Sequence, residues 1–405
     1  MYNIYMRAYI VSLGCPKNLC DTEAIMGELR EKGYEISPSV KNSDIAVVNT
    51  CAFLKSAREE SVTVIKSLVK KGLKVYMAGC LPKHPLYGKA GGIKSLPVQT
   101  LDSIRTYNCA EPKVKATPPW TAYVKISEGC NNNCTYCLIP KIRGKLIVRK
   151  MADILKEVTQ LAKNGVKELI YVAQDTTAYP NFPLLLKKTA KIEEIHWIRI
   201  MYSNPQHVTK NLIKVMKEEP KIARYLDLPL QHICDRILGL MNRPQPNSDG
   251  IKNLIKTLRR EVTGIRIRTS FIVGFPGETE RESQALLDFI KETKFDRVGA
   301  FCFSREKGTS ADTLRGQIPD KVKKIRFSRL MKEQNRISKE LNKKLVGKII
   351  EVLFEGNNRG RSMFDAPGID CSVLFNAKGL QPGEFAKVKI IGAKAYDLTG
   401  QLVST

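Results

Sequence analysis

Three cysteines lie close together in the spacing C-x3-C-x2-C, directly after a short apolar run. They are Cys130, Cys134 and Cys137. Thiolates at this spacing can bind three irons of a cuboidal 4Fe-4S cluster, which leaves the fourth iron open to a small molecule. Clusters that only transfer electrons normally have four cysteine ligands. The motif therefore predicts chemistry at an open iron.

Zinc binding and unrelated thiols are the alternatives for this motif. Structural zinc takes four ligands, commonly from paired C-x2-C elements or from one such element and two later histidines. The chain has no second C-x2-C, and its four histidines are far from the triad in sequence. The spacing favours an iron–sulfur cluster and leaves both alternatives open.

A second set of cysteines follows three predicted strands near the N-terminus. These strands are short and rich in Val, Ile and Tyr. They are predicted at 7–13, 43–49 and 73–79, with helices at 21–32 and 57–71. Cys15, Cys51 and Cys80 follow the strand ends. Because the carboxyl ends of parallel strands share one edge of a sheet, we expect these cysteines to converge as a second metal site. The alternative is three buried thiols that pack as small apolar side chains.

The remainder of the chain alternates predicted strands and helices before changing to short strands. After a proline-rich linker at 111–119, strands are predicted near 122–127, 167–173, 196–201, 225–230, 266–273 and 298–303, with an amphipathic helix at 152–163. This alternation favours a parallel (β/α) barrel or part of one. A basic helix is predicted at 319–344, with ten Lys or Arg against two Glu from Lys321 to Lys344. Beyond Lys348, short strands separated by Gly and Asn indicate a small antiparallel β-barrel.

These patterns predict an α/β protein with three domains. They are an N-terminal α/β domain at 1–111, a (β/α) partial barrel at 112–340 and a small antiparallel β-barrel at 341–405.

The bulk composition indicates the kind of partner and the cell compartment. The 405 residues are 43% hydrophobic, which is ample for packed cores, and carry a formal net charge of +27. Such a charge favours an acidic polymer such as RNA as a partner; the alternative is scattered, solvated charge. We see no signal peptide or membrane-spanning segment and expect a cytoplasmic protein. Eleven cysteines then indicate metal or redox work more than disulfides.

With these features in hand, the chain resembles the methylthiotransferase branch of the radical S-adenosylmethionine (SAM) enzymes. The resemblance covers nearly the whole chain, including a TRAM-like C-terminal barrel. It rests on the runs at 12–18, 48–51, 56–61, 128–137, 139–140, 143–144, 172–177, 226–233, 270–279 and 365–370.

The resemblance implies two 4Fe-4S clusters and a chemical task for each. Cys130, Cys134 and Cys137 would hold the cluster whose open iron binds and reductively cleaves SAM. The N-terminal cysteines would hold an auxiliary cluster that carries the sulfur, and no catalytic residue is expected beyond these ligands. The best-matching branch modifies the β-carbon of an aspartate in small-subunit ribosomal protein twelve, in the ribosome. A flavodoxin- or ferredoxin-like electron donor and a sulfur source are also implied.

The resemblance also implies contacts to SAM. Tyr136 would lie near the adenine, Gln174 and Asp175 near the amino or ribose groups, and Gly274 would admit the adenine closely. The alternatives are a packing tyrosine, ordinary polar residues at a strand end and a glycine that only forms a turn. Two further residues, Glu278 and His232, are predicted to be non-catalytic, and five cysteines are predicted to be free thiols: Cys20, Cys109, Cys234, Cys302 and Cys371.

Two other functions remain as alternatives. A related enzyme methylthiolates an adenosine of tRNA with the same pair of clusters. Its Gly-Cys-Gln-x-Asn and Leu-Pro-Val-Gln-Ser-Gly runs differ from the sequences at 14–18 and 228–233 here. A non-enzymatic RNA-binding protein with a structural metal would explain the charge and the terminal barrel. It would leave the three N-terminal cysteines unexplained.

Overall fold

The computed structural model describes residues 6–85, 98–100 and 114–403. The chain forms two compact units. The first unit contains Met1–Asn164, Tyr171–Gln174 and Ser304–Thr313, and the second contains Gly165–Ile170, Asp175–Phe303 and Leu314–Thr405. The predicted domain boundary at 111/112 and the thiol of Cys109 lie outside the described residues, and the three-domain division stays a prediction.

The first unit begins with a parallel α/β sheet. Its elements are β1 (Arg7–Ser12), α1 (Pro16–Glu31), β2 (Glu35–Ser37), β3 (Ile45–Thr50), α2 (Lys55–Lys70), β4 (Lys74–Gly79) and β5 (Val98–Thr100). The strand order is β2-β1-β3-β4-β5, and every pairing is parallel. All six residues of β3 are buried, as a central strand covered on both faces requires. The three strands predicted here are confirmed; β2 and β5 were not predicted.

The helix α1 differs from its prediction at one end. It was predicted to begin at residue 21 and in fact begins at Pro16, with Cys15 at the N-cap position. Proline suits the first helical position, where its missing N–H costs nothing. Asn18 therefore lies in the first turn of a helix and not in a loop.

The first unit continues through the cysteine triad. Its further elements are β6 (Thr121–Lys125), β7 (Ser127–Glu128), α3 (Ile139–Arg143), β8 (Ile147–Val148) and α4 (Met151–Lys163). The short strands β7 and β8 pair in antiparallel fashion, so that Glu128 lies opposite Ile147. The loop from 129 to 138, which holds the triad, is thus anchored by a hairpin on one side and by α3 on the other.

The second unit carries parallel strands with intervening helices. Its elements up to the basic helix are β9 (Glu168–Val172, whose last two residues belong to the first unit), α5 (Phe182–Ala190), β10 (Trp197–Ile200), α6 (Lys210–Glu218), β11 (Ile222–Asp227), α7 (Asp235–Leu240), α8 (Ser248–Glu261), β12 (Arg266–Val273), α9 (Glu280–Thr293), β13 (Arg297–Cys302) and α10 (Asp320–Lys343). The strands lie side by side as β13-β12-β11-β10-β9, with parallel pairing from β10 to β13. The predicted parallel α/β architecture is confirmed, and the basic helix lies within one residue of its predicted bounds.

A closed barrel ends the second unit. Its strands are β14 (Ile349–Gly356), β15 (Arg359–Ser362), β16 (Ser372–Leu374), β17 (Phe385–Ala393) and β18 (Asp397–Leu402), and they close in the order β14-β15-β16-β18-β17. The predicted small barrel is confirmed, with two additions. Strand β15 was not predicted, and β16 pairs with β18 in parallel because the chain crosses over between them.

No helix in the described part of the chain is both long enough and apolar enough to span a membrane.

Candidate functional site

The loops that carry Cys15, Cys51 and Cys80 meet at the carboxyl edge of the N-terminal sheet. Adjacent strands end in register there, since Ser12 of β1 lies opposite Asn49, and Thr50 of β3 lies opposite Gly79. The structure therefore brings together the three cysteines that the strand-end pattern selected.

Asn18 ties these three loops to one another. Its side-chain amide donates to the carbonyls of Leu13 (2.9 Å) and Thr50 (2.8 Å), which follow β1 and end β3. Its Oδ1 accepts a hydrogen bond from the Cys80 thiol at 3.8 Å. The amide is buried, with 1% of the residue exposed. One side chain thus fixes the spacing of all three cysteine loops.

Gly14 is required by the close approach of Cys51. The glycine has a φ of +91°, a region that other residues rarely adopt. A Cβ at this position would lie 2.8 Å from the Cys51 Cβ and 2.9 Å from its Sγ. The pair Gly14-Cys15 therefore lets two cysteine-bearing loops touch.

The thiols of this group differ in electrostatic environment. Burial raises the pKa of Cys51. Burial also raises the pKa of Cys80, where the nearby Arg143 guanidinium opposes the shift. Each of these two thiols also feels the charge of Cys15, which shows how near the three are to one another. A bound metal would be needed to stabilise three thiolates at such short range.

The second group, Cys130, Cys134 and Cys137, lies in the loop between β7 and α3. Backbone amides already point at two of its sulfurs. The Asn132 N–H donates to the Cys130 Sγ and the Ile139 N–H to the Cys137 Sγ, each at 3.4 Å. All three thiols are half-buried and none forms a disulfide. Amide donors aimed at sulfur are the arrangement that stabilises cluster-ligating thiolates.

Arg143 connects the two groups within the first unit. It is the last residue of α3, which follows the loop of Cys130, Cys134 and Cys137. Its side chain nevertheless reaches the group formed by the strand-end cysteines. Its Nε and Nη2 donate to the Cys80 Sγ at 3.3 and 3.1 Å, and its Nη2 also donates to the Asn18 Oδ1 at 2.5 Å. The guanidinium is therefore shared between the two cysteine-bearing regions.

Buried carboxylates surround this arginine. Asp21 pairs with Arg143 at 2.8 Å and with Lys125, and Lys125 pairs with Glu128 at 2.6 Å. Burial disfavours ionised Asp21, but the charges of Lys125 and Arg143 outweigh it and lower its pKa. Burial and the Asp21 charge raise the pKa of Glu128. Two cations and two carboxyls thus satisfy one another in a buried network that excludes water.

Gln174 joins the network and retains an unused acceptor. Its Nε2 donates to the Glu128 Oε1 at 2.6 Å, whereas its own Oε1 is buried and has no hydrogen-bond partner among the residues that the structure describes. A buried amide oxygen without a partner is costly. The contact of Gln174 with SAM stays a prediction.

The segment Ser304–Thr313 lies across both cysteine regions of the first unit. Buried Glu306 pairs with Arg58 of α2 at 2.6 Å and accepts from the Lys55 N–H at 2.9 Å. The same segment meets α3 at Gly308, whose carbonyl accepts from Lys141 at 2.5 Å. We call Ser304–Thr313 the strap. A further bond, from the Ala311 N–H to the Thr135 carbonyl (2.8 Å), holds the strap on the cysteine loop itself.

Of the remaining residues predicted to contact SAM, Tyr136 is half-buried in the cysteine loop, and Asp175 has a structural task. Its carboxylate accepts from Thr177 (2.9 Å) and from the Ala178 N–H (3.1 Å), and it pairs with His207 at 2.8 Å. The bond from Asp175 raises the pKa of His207. The SAM contacts of Tyr136 and Asp175 stay predictions.

Gly274 makes a close approach to a side chain of the second unit. Its φ is +68°, and a Cβ there would lie 2.3 Å from the Lys323 Cγ. The lysine stem of α10 thus occupies the space in this structure, and the predicted contact with adenine stays a prediction. Glu278 accepts hydrogen bonds from the N–H groups of Gly274 and Phe275. It anchors the turn before α9, whose capping box begins at Thr279.

The donor sets suit iron–sulfur clusters. Within residues 6–85, 98–100 and 114–403, no three His, Cys, Asp or Glu side chains are grouped closely enough to hold a single metal ion as they stand. A cuboidal cluster takes one thiolate on each of three different irons and so needs a wider triangle of sulfurs than a single ion does. The N–H groups that donate to the sulfurs of Cys80, Cys130 and Cys137 would stabilise thiolate ligands of such clusters.

Sequence reasoning missed the residues that hold the cysteines in place. Asn18 and Arg143 were noted only as members of matching runs, and Asp21, Lys125 and Glu306 were not singled out. Their roles depend on contacts across more than 100 residues of sequence for the Arg143–Asp21, Lys125–Asp21 and Arg58–Glu306 pairs. A local signal exists only for Asn18, a polar residue in the first turn of a helix that follows a cysteine.

Models of three families match consecutive parts of the chain. The model described as the uncharacterized protein family UPF0004 matches residues 7–87, the radical SAM superfamily matches 124–290, and the TRAM domain matches 346–403. The first two matches contain the two cysteine groups, and the third contains the closed barrel.

Full-length relatives agree with these matches. The chain is 43% identical to the ribosomal protein uS12 methylthiotransferase RimO of Pelotomaculum thermopropionicum, covering 97% of this chain and 98% of that one. It is 39% identical to the enzyme of the same name from Citrifermentans bemidjiense, with 98% of each chain covered. The radical SAM methyltransferase TsrM from Kitasatospora setae, solved with cobalamin and a [4Fe-4S] cluster, aligns over 76% of this chain and 74% of that one. Its TM-score is 0.56 at 12% identity, which shows a shared fold.

The fold, the two cysteine groups and these matches define a radical SAM methylthiotransferase. The predicted enzyme class is thereby confirmed, and the non-enzymatic alternative is wrong. The class brings SAM and a 4Fe-4S cluster as cofactors, in agreement with the C-x3-C-x2-C prediction and not with zinc. Within this class, the chain belongs to the RimO family.

Proposed function

We propose that this enzyme replaces a hydrogen on the β-carbon of an aspartate in ribosomal protein uS12 with a methylthio group. The observation that carries the proposal is the pair of cysteine groups in one unit, joined by Arg143, in a chain aligned end to end with uS12 methylthiotransferases. We take the assembled small ribosomal subunit as the form in which the substrate is met.

In this proposal the six cysteines hold two clusters. Cys130, Cys134 and Cys137 hold the one that engages SAM, and the strand-end cysteines hold an auxiliary one. When bound, the clusters supply low-potential electrons and open iron sites, for SAM at the first and for transferable sulfur at the second. No other side chain is required as a chemical catalyst.

The protein's own side chains stabilise the ligating thiolates, hold the cysteine loops in place and exclude water from the site. Arg143 donates to the Cys80 sulfur and stabilises its thiolate form. Asn18 fixes the spacing of the three auxiliary loops. The buried ion pairs of Asp21, Lys125 and Glu128 fill the space around Arg143 and exclude water from the reacting groups.

The remaining contacts follow the predictions. Gln174 offers its unpartnered Oε1 to a SAM amine or hydroxyl, and Tyr136 lies beside the adenine. Asp175 and Gly274 complete the proposed contacts. A flavodoxin- or ferredoxin-like protein delivers the electrons in the cytoplasm, and a separate sulfur source recharges the auxiliary cluster.

The direct test is anaerobic reconstitution followed by assay on two substrates. We expect about eight irons per chain and SAM-dependent release of 5′-deoxyadenosine. Incubation with small ribosomal subunits should add one methylthio group to a uS12 peptide, detected by mass spectrometry. A modified tRNA nucleoside together with unmodified uS12 would show that the tRNA alternative is correct.

Single-cysteine variants separate the two clusters. Cys51→Ala should lower the iron content by about four per chain and abolish methylthiolation while 5′-deoxyadenosine is still released. Cys134→Ala should abolish both. Cys302→Ala, which removes a half-buried free thiol elsewhere, is the matched control and should retain full iron content.

A further inference from the structure

One face of α10 carries a row of lysines that the proposed chemistry does not use. We call it the lysine stripe: Lys321, Lys324, Lys332, Lys339 and Lys343, all exposed. At 100° per residue these positions fall within an arc of about 100° on the helix surface, and they extend over about 33 Å along its axis. The stripe is therefore a straight, narrow line of positive charge.

The stripe lies on the solvent-exposed side of the helix. The opposite face of α10 is buried, through residues such as Leu330, Gln334 and Ile337. Among the described residues, none of the five lysines has an ion pair, whereas the flanking Arg336 pairs with Glu333 (2.6 Å). The acidic side chains of the helix pair with residues outside the stripe, Glu340 with Lys294 (2.8 Å) and Asp320 with Lys323 (3.1 Å). The lysine charge is left uncompensated.

The positive surface continues beyond the helix. Lys344 and Lys348, both exposed, follow α10 directly. The Lys348 carbonyl accepts from the Ile390 N–H at 2.9 Å, and Ile349 lies opposite exposed Lys389 of the barrel. Exposed positive charge is therefore also present on the turn after α10 and on strand β17 of the closed barrel.

We propose that the lysine stripe is a docking surface for the phosphate backbone of RNA. A rigid line of like charges over several turns of helix fits the phosphate backbone of a nucleic acid, whose charges also lie along a line, better than it fits a flexible acidic peptide. Ser328 and Asn335 lie between the lysines on the same face and offer hydrogen bonds to phosphate or ribose. The stripe consists of lysines and contains no arginine. Lysine contacts to phosphate position a protein on a nucleic acid and do not read its bases, so we expect binding without sequence preference.

This inference extends the proposed function, because the uS12 substrate would be met on an RNA-rich particle. The stripe would hold the enzyme on ribosomal RNA while the cysteine centres act elsewhere. RNA binding by the stripe does not depend on the methylthiolation reaction, so the docking surface and the proposed function can be tested separately.

The test removes three charges from the stripe in the reconstituted, full-length enzyme. The variant is Lys324→Gln, Lys332→Gln and Lys339→Gln combined, since glutamine keeps the helix propensity. Binding to a fluorescent RNA duplex is measured between about 50 and 200 mM potassium chloride. The matched control combines Lys156→Gln, Lys191→Gln and Lys256→Gln, which removes the same charge from exposed positions on α4, at the C-cap of α5 and on α8.

We expect the stripe variant to bind RNA at least about tenfold more weakly. The slope of log Kd against log salt should fall by about two to three, because each lost phosphate contact removes about 0.9. The control should keep the wild-type slope. Equal losses in both variants would show a net-charge effect and overturn the proposal, as would an unchanged slope in the stripe variant. The proposal would also be overturned if the stripe variant bound polyglutamate more weakly than the wild type but bound RNA equally well. That result would assign the stripe to an acidic protein.

Two activity measurements separate this proposal from the proposed function. The stripe variant should release 5′-deoxyadenosine at the wild-type rate and modify limiting small subunits about tenfold more slowly. If wild-type enzyme modifies no ribosomal protein, the proposed function fails, while the RNA-binding slopes still decide the role of the stripe.

Discussion

Arg143 links the two cysteine groups, because it follows one group in sequence and binds the other through its side chain. Sequence places it directly after the triad, but its guanidinium lies on the Cys80 sulfur, on Asn18 and on Asp21. The charge-assisted N–H···S bonds favour the thiolate over the thiol. A neutral or shorter side chain there would leave the buried Asp21 with one cation in place of two.

Replacement of Arg143 tests this role. Arg143→Lys keeps the charge and loses the forked donors, so we expect the auxiliary cluster to release iron to a chelator several-fold faster and its reduction potential to shift downward. Iron release and potentiometry measure this directly. The matched control is Lys141→Met on the same helix, which contacts the Gly308 carbonyl and no thiol. Equal iron release from both variants would contradict the assignment.

The strap shows how an element far along the chain completes a site. Ser304–Thr313 belongs to the first unit, although it follows β13 of the second. Its Glu306 is 2% exposed and pairs with Arg58. Burial and the nearby Arg58 charge together lower the pKa of His84. The parallel sheet supplies the cysteine positions, and the strap holds the loops that carry them.

Glu306→Gln should destabilise the first unit strongly. The change leaves the Arg58 charge buried without its partner, which costs about 3–5 kcal/mol. We expect a lower thermal midpoint for the apoprotein and faster proteolysis of the first unit. The control is Glu59→Gln on α2, the helix that carries Arg58. The pair of Glu59 with Lys55 is exposed and contributes about 0–1 kcal/mol. Equal thermal midpoints for the Glu306→Gln and Glu59→Gln variants would contradict a stabilising role of the strap.

At the scale of the second unit, buried ion pairs join the barrel to the parallel sheet. Arg361 of β15 forms a bidentate pair with Glu168 of β9, which also binds Arg199 at 2.9 Å. Arg297 of β13 pairs with Asp365 at 2.7 Å. Burial would raise the pKa of Glu168, but the charges of Arg361 and Arg199 outweigh it and lower the pKa.

Arg361→Met should release the barrel from the sheet. We expect faster cleavage by trypsin near Lys344–Lys348 and a lower thermal midpoint, because Glu168 loses one of its buried cations. Arg359→Met, on the same strand but exposed, is the control. Because the folded pKa of Glu168 is lowered, its contribution is complete above the ordinary value near ~4.3 and is lost as the pH falls through the folded pKa. The difference between wild type and Arg361→Met should therefore shrink in acid.

The sequence by itself determined the kind of chemistry and the order of the architecture. Cysteine spacing is local, so the triad at 130–137 could be assigned without a structure. Strand periodicity is local too, and the rule that parallel strands end at one edge turned three distant cysteines into a candidate group. The runs around these cysteines identified the family. The strands that were predicted lie within a few residues of the observed ones, whereas β2, β5 and β15 were not predicted and α1 begins at Pro16 and not at residue 21.

Only the tertiary structure decided how the cysteines are held and which charges remain unpaired. Arg143, Asp21, Lys125 and Glu306 act through partners that are distant in sequence, and no periodicity reports such pairs. The same holds for the lysine stripe: ten cations in one helix were evident, but which of them are buried, paired or exposed depends on packing. Long-range contacts fix these outcomes because burial and pairing are properties of neighbours in space and not of neighbours in the chain.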